Sequence, residues 1–250
     1  MNVLDLFSGI GGFSLGLERA GMKTVAFCEI EPFPQKVLKK HWPDVPIFED
    51  IRNLHAEEIN QPIDIICGGY PCQPFSQLGK RNGANDERHL WPEMLRLIQE
   101  CSPSWVICEN VVAHIIMGLD KVLSDLERNG YTQWTFVIPA CAIDAPHKRD
   151  RIWIIANSNS IVRKTGETKA IFDSEGLLQK PQQWKQLFFN NHGNNNIEFR
   201  KETEPMLCRD DDGVSTELDE SRLKALGNAV VPQIPEIIGR AIMQIENQKD

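Results

Sequence analysis

The sequence lacks the features that define several classes of protein. No apolar run approaches the roughly 20 residues that a transmembrane helix needs, and no basic stretch precedes the first apolar residues, so we expect neither a membrane span nor a secretory leader. The seven cysteines include no CxxC pair and no spacing to histidine that is typical of a zinc site. Their odd number also weighs against a disulfide framework. We therefore expect a globular cytoplasmic protein without a metal site.

Positive charge is scarce as well. The chain has 27 Lys and Arg against 35 Asp and Glu, a net charge of −8, which weighs against a nucleic-acid partner because phosphate binding needs local positive charge. The acidity is concentrated, since eight acidic residues and one arginine lie between positions 202 and 220. Positions 161 to 201 carry a small positive excess. A basic face is therefore compatible with the sequence, and a solvated acidic loop accounts for positions 202 to 220.

Short apolar runs alternate with longer amphipathic stretches in the first part of the chain. This alternation predicts an α/β fold with a doubly wound, mostly parallel sheet, which binds its ligands at the carboxyl ends of the strands. The predicted strands are 2–7, 24–30, 63–67, 105–109, 135–139 and 151–156. The predicted helices are 13–20, 33–41, 90–101 and 119–129, with a last helix after Pro235.

The pattern is interrupted between positions 158 and 220. This stretch is rich in Asn, Gln, Lys and Gly and has no clear periodicity, whereas regular patterning returns at Ser221. We predict a core domain made of residues 1–157 and 221–250, with residues 158–220 as a small irregular insertion. A partly disordered linker is the alternative for the insertion.

A glycine turn follows the first predicted strand. Gly9 and Gly11 lie in it, and Glu29 closes the second strand 20 residues after Gly9, where a carboxylate is suited to bind ribose hydroxyl groups. Asp50 adds a third polar position that is suited to the edge of an adenine ring. Together these residues predict a site for an adenosine-containing cofactor. A turn that only connects a strand to a helix is the alternative.

The segment "GGYPCQPFS" places a cysteine at the carboxyl end of the third predicted strand. Pro71 restricts the backbone before Cys72, whereas Cys67 and Cys108 lie inside strand runs and are expected to be small buried apolar residues. Glu109 ends the next strand at the same edge of the sheet. A cysteine beside a carboxyl group indicates covalent catalysis with acid assistance. A nicotinamide-dependent oxidoreductase would explain the glycine turn but not this pair.

Six motifs occur along the chain in this order: "DLFSGIGGF" (5–13), "CEIEP" (28–32), "GGYPCQPFS" (68–76), "ENV" (109–111), "HKRDRIWIIA" (147–156) and "GNAVVP" (227–232). With these motifs the sequence resembles the DNA methyltransferases that methylate carbon 5 of cytosine with S-adenosylmethionine.

The resemblance implies a role for each matching residue. Cys72 would add to carbon 6 of the cytosine, Glu109 would protonate ring nitrogen 3, and Arg149 and Arg151 would support the ring oxygen and the catalytic loop. S-adenosylmethionine would lie against Phe7, Gly9, Gly11, Glu29, Asp50, Ile51, Pro71, Leu90, Asn228 and Val230.

The resemblance also implies double-stranded DNA as the substrate, with the target base flipped out of the helix. Gln73, Ser76, Lys80 and Arg81 would contact DNA, in a loop that fits a mobile cationic lid or, alternatively, an exposed polar loop. Residues 158–220 would be a short target-recognition region. The resemblance implies a monomer that works in the cytoplasm and is encoded by a bacterium or a phage. It also implies a cognate restriction endonuclease as a partner in function.

Some features leave alternatives open. His147 stands where family members commonly carry glutamine, and it fits a solvated turn residue equally well. Some relatives of these enzymes methylate cytosine in transfer RNA. Their motifs overlap with those of the DNA enzymes, so the motifs do not decide between the two substrates. A catalytically silent DNA-binding homologue is a further alternative, although a pure binding module has no need for Cys72, Glu109 and Arg149 together.

Overall fold

The computed structural model describes residues 1–71, 90–140, 149–158, 221 and 224–247. The strands in these ranges form one seven-stranded sheet. In chain order they are β1 (Asn2–Leu6), β2 (Lys23–Cys28), β3 (Ile47–Phe48), β4 (Ile65–Gly68), β5 (Trp105–Val111), β6 (Tyr131–Pro139) and β7 (Asp150–Ser158).

The sheet is mostly parallel and doubly wound, as the sequence predicted. Its strand order is β3-β2-β1-β4-β5-β7-β6. The first five strands pair in parallel, and β7 runs antiparallel between β5 and β6. The chain reverses its direction of winding between β1 and β4, and this reversal opens a crevice at the carboxyl ends of the two strands.

The helices cover both faces of the sheet. They are α1 (Gly12–Arg19), α2 (Pro32–His41), α3 (Trp91–Cys101), α4 (His114–Met117), α5 (Leu119–Arg128) and α6 (Gln233–Glu246), with a short 3-10 turn at Ala56–Glu58 and helical residues at 224–228. None of the helices in the described ranges combines the length and the apolarity needed to cross a bilayer.

Alternating side chains of the central strands pack into two separate hydrophobic cores, one on each face of the sheet. Val3 of β1 points to a cluster with α1 and α6, whereas Leu4 and Leu6 point to a cluster with α3 and α5. Because successive residues of a strand face opposite sides, each central strand is apolar on both faces. This burial explains why β1, β4 and the first part of β5 are mostly apolar in the sequence.

Several elements differ from the prediction, among them α4 and the 3-10 turn at Ala56–Glu58, which were not predicted. β3 was not predicted, since it has only two residues and too short a pattern to detect. β6 begins at Tyr131, four residues before the predicted start. The last helix begins at Gln233, because a proline at position 235 still lies in the first turn, where its missing N–H group is not needed.

Candidate functional site

A cleft of about 1580 Å³ lies at the carboxyl ends of β1, β2, β4 and β5. Residues from both ends of the described chain line it, because residues 224–230, the returning segment, face the turn that follows β1. Nine of the residues predicted to contact a cofactor line this cleft: Phe7, Gly9, Glu29, Asp50, Ile51, Pro71, Leu90, Asn228 and Val230.

Glu29 is held at the bottom of the cleft by backbone groups. Its side chain follows β2 and is buried. One carboxylate oxygen accepts a hydrogen bond from the N–H of Gly9 at 2.7 Å, and the other accepts one from the N–H of Glu31 at 2.7 Å. Each oxygen has a second lone pair, so the fixed carboxylate can still accept a hydrogen bond from a ligand hydroxyl.

Asp50 lies beside Glu29, after the short strand β3. Both of its carboxylate oxygens accept hydrogen bonds from the Arg52 guanidinium, the shortest at 2.7 Å. Hydrogen bonding to Arg52 holds the pKa of Asp50 below its usual value. Asp50 therefore presents an ionised acceptor to the cleft.

The structure does not bring Gly11 to the wall of the cleft. Gly11 is buried with a φ of 85°, and a β-carbon there would lie 2.6 Å from Cζ3 of Trp42 and 3.0 Å from Cδ2 of Leu38. A side chain is thus excluded both by the left-handed backbone and by these neighbours. The geometry of Gly11 shapes the turn that presents Gly9.

Glu109 and Arg151 form an ion pair at the other side of the cleft. Oε1 of Glu109 lies 2.9 Å from Nε of Arg151, and the glutamate side chain is only 13% exposed. Burial raises the pKa of Glu109, while the positive charges of Arg151 and Arg149 oppose this change. The carboxyl group is therefore disposed to hold a proton at a higher pH than a glutamate in water.

Arg149 makes different contacts from Arg151. Its guanidinium donates hydrogen bonds to the carbonyl oxygens of Gly227 at 2.7 Å and Ala229 at 2.9 Å. These carbonyl groups lie on either side of Asn228, which lines the cleft. Arg149 therefore fastens the returning segment to the beginning of β7, in addition to adding positive charge near Glu109.

The remaining predicted residues divide into two groups. Cys67 and Cys108 are fully buried in β4 and β5, and burial raises the pKa of both thiols, so the prediction that they are apolar core residues is confirmed. The other group lies outside the described residues. It consists of Cys72, Gln73, Ser76, Lys80, Arg81 and His147, together with positions 159 to 220.

Four buried polar residues near the cleft were missed in the sequence. Asp5 accepts two hydrogen bonds from Ser14, and a carboxylate inside the apolar run of β1 was a signal that went unused. Asn110, Tyr70 and His114 form a second group, in which Tyr70 and His114 are hydrogen-bonded across 44 positions of sequence. No local pattern reveals such a pair.

The strand order, the antiparallel β7 and the cleft define an α/β fold of the methyltransferase type. Solved methyltransferase structures share this fold. The crystal structure of a DNA modification methyltransferase encoded within an Escherichia coli prophage has 30% sequence identity and a TM-score of 0.56, covering 64% of this chain and 47% of that one. The Dnmt2 methyltransferase of S. pombe, at 20% identity, shares the fold with a TM-score of 0.60 over 80% of this chain and 58% of its own.

A family model described as C-5 cytosine-specific DNA methylase matches residues 1–206, and the chain belongs to this family. The Type II methyltransferase M.Eco47II of Escherichia coli is 34% identical over 169 residues, which are 64% of this chain and 40% of the relative. M.NgoMIV of Neisseria gonorrhoeae is 44% identical over 108 residues, 43% of this chain and 35% of the relative. The chain thus matches less than half of the length of these relatives.

Proposed function

We propose that this protein transfers the methyl group of S-adenosylmethionine to carbon 5 of a flipped-out cytosine in a specific DNA sequence, through a covalent Cys72 adduct at carbon 6 that Glu109 assists. The observation that carries the proposal is the partly buried Glu109–Arg151 pair, which faces the same cleft as Glu29. A carboxyl group with a raised pKa on this rim is suited to acid catalysis. Membership of the cytosine-5 methylase family supports the same chemistry.

The residues of the cleft fit S-adenosylmethionine. The free lone pairs of Glu29 suit two ribose hydroxyl groups, and Phe7, Ile51 and Leu90 offer apolar surface to the adenine ring. When bound, this cofactor supplies an electrophilic methyl group on a positively charged sulfur. The cleft volume of about 1580 Å³ exceeds that of a typical ligand pocket, so a cytosine ring can enter beside the cofactor.

The proposed chemistry makes a weak nucleophile reactive. The Cys72 thiolate forms a bond to carbon 6 while Glu109 donates a proton to ring nitrogen 3, so negative charge does not accumulate on the ring. Addition at carbon 6 would move the ring double bond to carbons 4 and 5, and that electron pair would form the new bond to the methyl carbon as the methyl–sulfur bond of the cofactor breaks and leaves a neutral thioether. Nitrogen 3 would then return its proton to the Glu109 carboxylate. A base removes the proton from carbon 5, the ring double bond forms again, and the carbon–sulfur bond breaks to release the thiolate.

Arg151 and Arg149 have separate tasks in this proposal. Arg151 orients the Glu109 carboxyl group and adds positive charge near the ring oxygen. Arg149 holds the returning segment, and with it Asn228 and Val230, against the cofactor. Arg149 directly precedes β7 and Arg151 is its second residue, and the antiparallel pairing of β7 with β5 sets Arg151 opposite Val111, two residues after Glu109.

Double-stranded DNA is the proposed substrate, with Gln73, Ser76, Lys80 and Arg81 among its contacts. Residues 1–157 and 221–250 would form the catalytic domain and residues 158–220 the target-recognition region. The Type II names of the relatives support a restriction-modification setting, with a cognate restriction endonuclease as a partner in function. We further propose a monomer that works in a bacterial cytoplasm, encoded by the host or by a phage.

The test is nucleoside analysis after incubation with S-adenosylmethionine. Mixed-sequence DNA and transfer RNA are treated separately with the native protein or with Cys72→Ala. We expect 5-methylcytosine in DNA with the native protein only, and cofactor affinity within a few fold in the variant, because the thiol acts on the base. Methylation of transfer RNA alone would change the substrate class. Cofactor binding without any methylation would indicate a silent homologue.

A further inference from the structure

We propose that Tyr70 is a positioning residue, whose hydrogen bond to His114 fixes the end of β4 against the end of β5 and so holds the backbone that leads into Cys72 close to Glu109. The inference rests on the proposed function and adds two residues to it. Cys72 follows Pro71 directly in the chain, so its position depends on where the backbone of Tyr70 and Pro71 is held.

The Tyr70 side chain is buried and polar at once. It is 4% exposed, and its Oη atom lies 2.7 Å from Nε2 of the buried His114, with the proton on either atom according to the histidine tautomer. A buried hydroxyl group without a partner is costly, so apolar packing alone would favour phenylalanine at this position. The hydrogen bond fixes both the direction of the tyrosine ring and the start of α4.

The backbone of Tyr70 is tied to the neighbour of Glu109. Its carbonyl oxygen accepts a hydrogen bond of 3.0 Å from Nδ2 of Asn110, and the Asn110 side chain in turn accepts one from the N–H of Val111 at 2.9 Å. Asn110 is 5% exposed, so water does not replace these bonds easily. A shift of Tyr70 is therefore transmitted to the end of β5.

There is little free space between the two strand ends. A β-carbon on Gly69 would lie 3.1 Å from Oε2 of Glu109, so the backbone before Tyr70 passes close to the catalytic carboxyl group. The Tyr70 ring also packs on Trp91, with ring centroids 5.2 Å apart, and Trp91 donates a hydrogen bond to Asp125. Tyr70 thus joins β4, β5, α3 and α4 beside the site.

The chain offers a matched control, because its sequence contains a second tyrosine. Tyr131 is 2% exposed and donates a hydrogen bond of 2.8 Å to the carbonyl oxygen of Pro103, at the start of β6 and outside the residues that line the cleft. Tyr70→Phe and Tyr131→Phe each remove one buried hydroxyl group. A difference between the two variants therefore reports on the position of Tyr70.

The experiment measures methyl transfer from labelled S-adenosylmethionine to mixed-sequence DNA, and covalent adduct formation with the same DNA carrying 5-fluorocytosine, from which the base cannot remove a proton. We expect Tyr70→Phe and His114→Leu to lower kcat and the adduct rate about tenfold, since small misplacements of reacting groups are costly. Tyr131→Phe should stay within about twofold of the native protein. His114→Gln, which retains a hydrogen-bonding atom, should recover much of the loss.

Cofactor affinity and thermal unfolding distinguish positioning from general damage. Unchanged affinity for S-adenosylmethionine in Tyr70→Phe, with kcat lowered, supports the inference. Equal kcat in Tyr70→Phe and Tyr131→Phe overturns it, and so does a loss of kcat that matches a loss of cofactor binding. A native protein that forms neither the adduct nor 5-methylcytosine would overturn the proposed function and this inference with it.

Discussion

Burial changes the acid–base behaviour of Asp5. It lies in β1 between Leu4 and Leu6, fully buried, and it accepts two hydrogen bonds from Ser14 of α1. Burial is the main cause that raises the pKa of Asp5 from its ordinary 3.8 to about 7. The carboxyl group connects the first strand to the first helix, directly beneath the glycine turn.

Asp5 makes the stability of the protein depend on pH. Between pH 3.8 and about 7 the folded protein keeps a proton that the unfolded chain has released. The stabilising contribution of this proton is complete below pH 3.8 and is lost as pH rises through about 7. Between these values the free energy of unfolding falls by at most about 1.4 kcal/mol per pH unit. Urea denaturation between about pH 5 and pH 8 measures this slope.

The variant Asp5→Asn tests the assignment. The amide oxygen still accepts the hydrogen bonds from Ser14, but the side chain does not titrate, so we expect a flatter dependence of stability on pH in this range. A slope equal to that of the native protein would show that another group is responsible.

At the scale of secondary structure, one arginine fastens the loop after β3 to α3. Nη2 of Arg96 donates hydrogen bonds to the carbonyl oxygens of Ile51 at 2.8 Å and Leu54 at 3.0 Å. The same guanidinium pairs with Glu93 and Glu100 of its own helix. Because Ile51 lines the cleft and Arg96 does not, Arg96 supports one wall of the cleft from behind.

Replacing Arg96 should weaken cofactor binding through this loop. We expect Arg96→Met, which keeps the apolar stem, to raise the Kd for S-adenosylmethionine about three- to tenfold, because two buried carbonyl groups lose their donor. Isothermal titration calorimetry measures the affinity. Arg240→Met is the control, since Arg240 of α6 also pairs with a glutamate, Glu236, and donates to a backbone carbonyl, that of Arg19 in α1. Equal affinity in both variants would contradict the role of Arg96.

The sequence predicted the elements with strong periodicity and the residues that belong to its motifs. α3 was predicted within one residue of its start, and Glu29 and Glu109 were both expected at the ends of β2 and β5. Arg96, Tyr70 and His114 were missed because their partners lie more than 40 positions away. Such contacts depend on how the strands are ordered in the sheet, which local patterns do not contain.

At the scale of the whole molecule, the cleft is closed by contact between the two ends of the described chain. Gly12 begins α1, and a β-carbon there would lie 2.4 Å from the carbonyl oxygen of Val230 in the returning segment. Arg149 fixes the same segment from the side of β7. The approach of α1 to Val230 therefore requires the absence of a side chain at position 12.

Gly12→Ala should separate the two parts of the cleft. The added methyl group pushes the Val230 backbone away, so we expect a loss of about 1 to 3 kcal/mol in stability together with weaker binding of S-adenosylmethionine. Thermal unfolding with and without the cofactor measures both effects, because at a fixed concentration a ligand that binds more tightly raises Tm further. Leu15→Ala, on the exposed side of α1, should leave the shift in Tm caused by the cofactor intact.

The return of the chain to α1 also sets a time order during protein synthesis. A ribosome makes the walls formed by Phe7, Glu29 and Glu109 first, and it adds Asn228 and Val230 only after about 70 further residues beyond Ser158. At about 5 to 20 residues per second, that interval lasts several seconds. A nascent chain therefore carries an open half-site during this time, and the complete cleft first exists when translation has passed the returning segment.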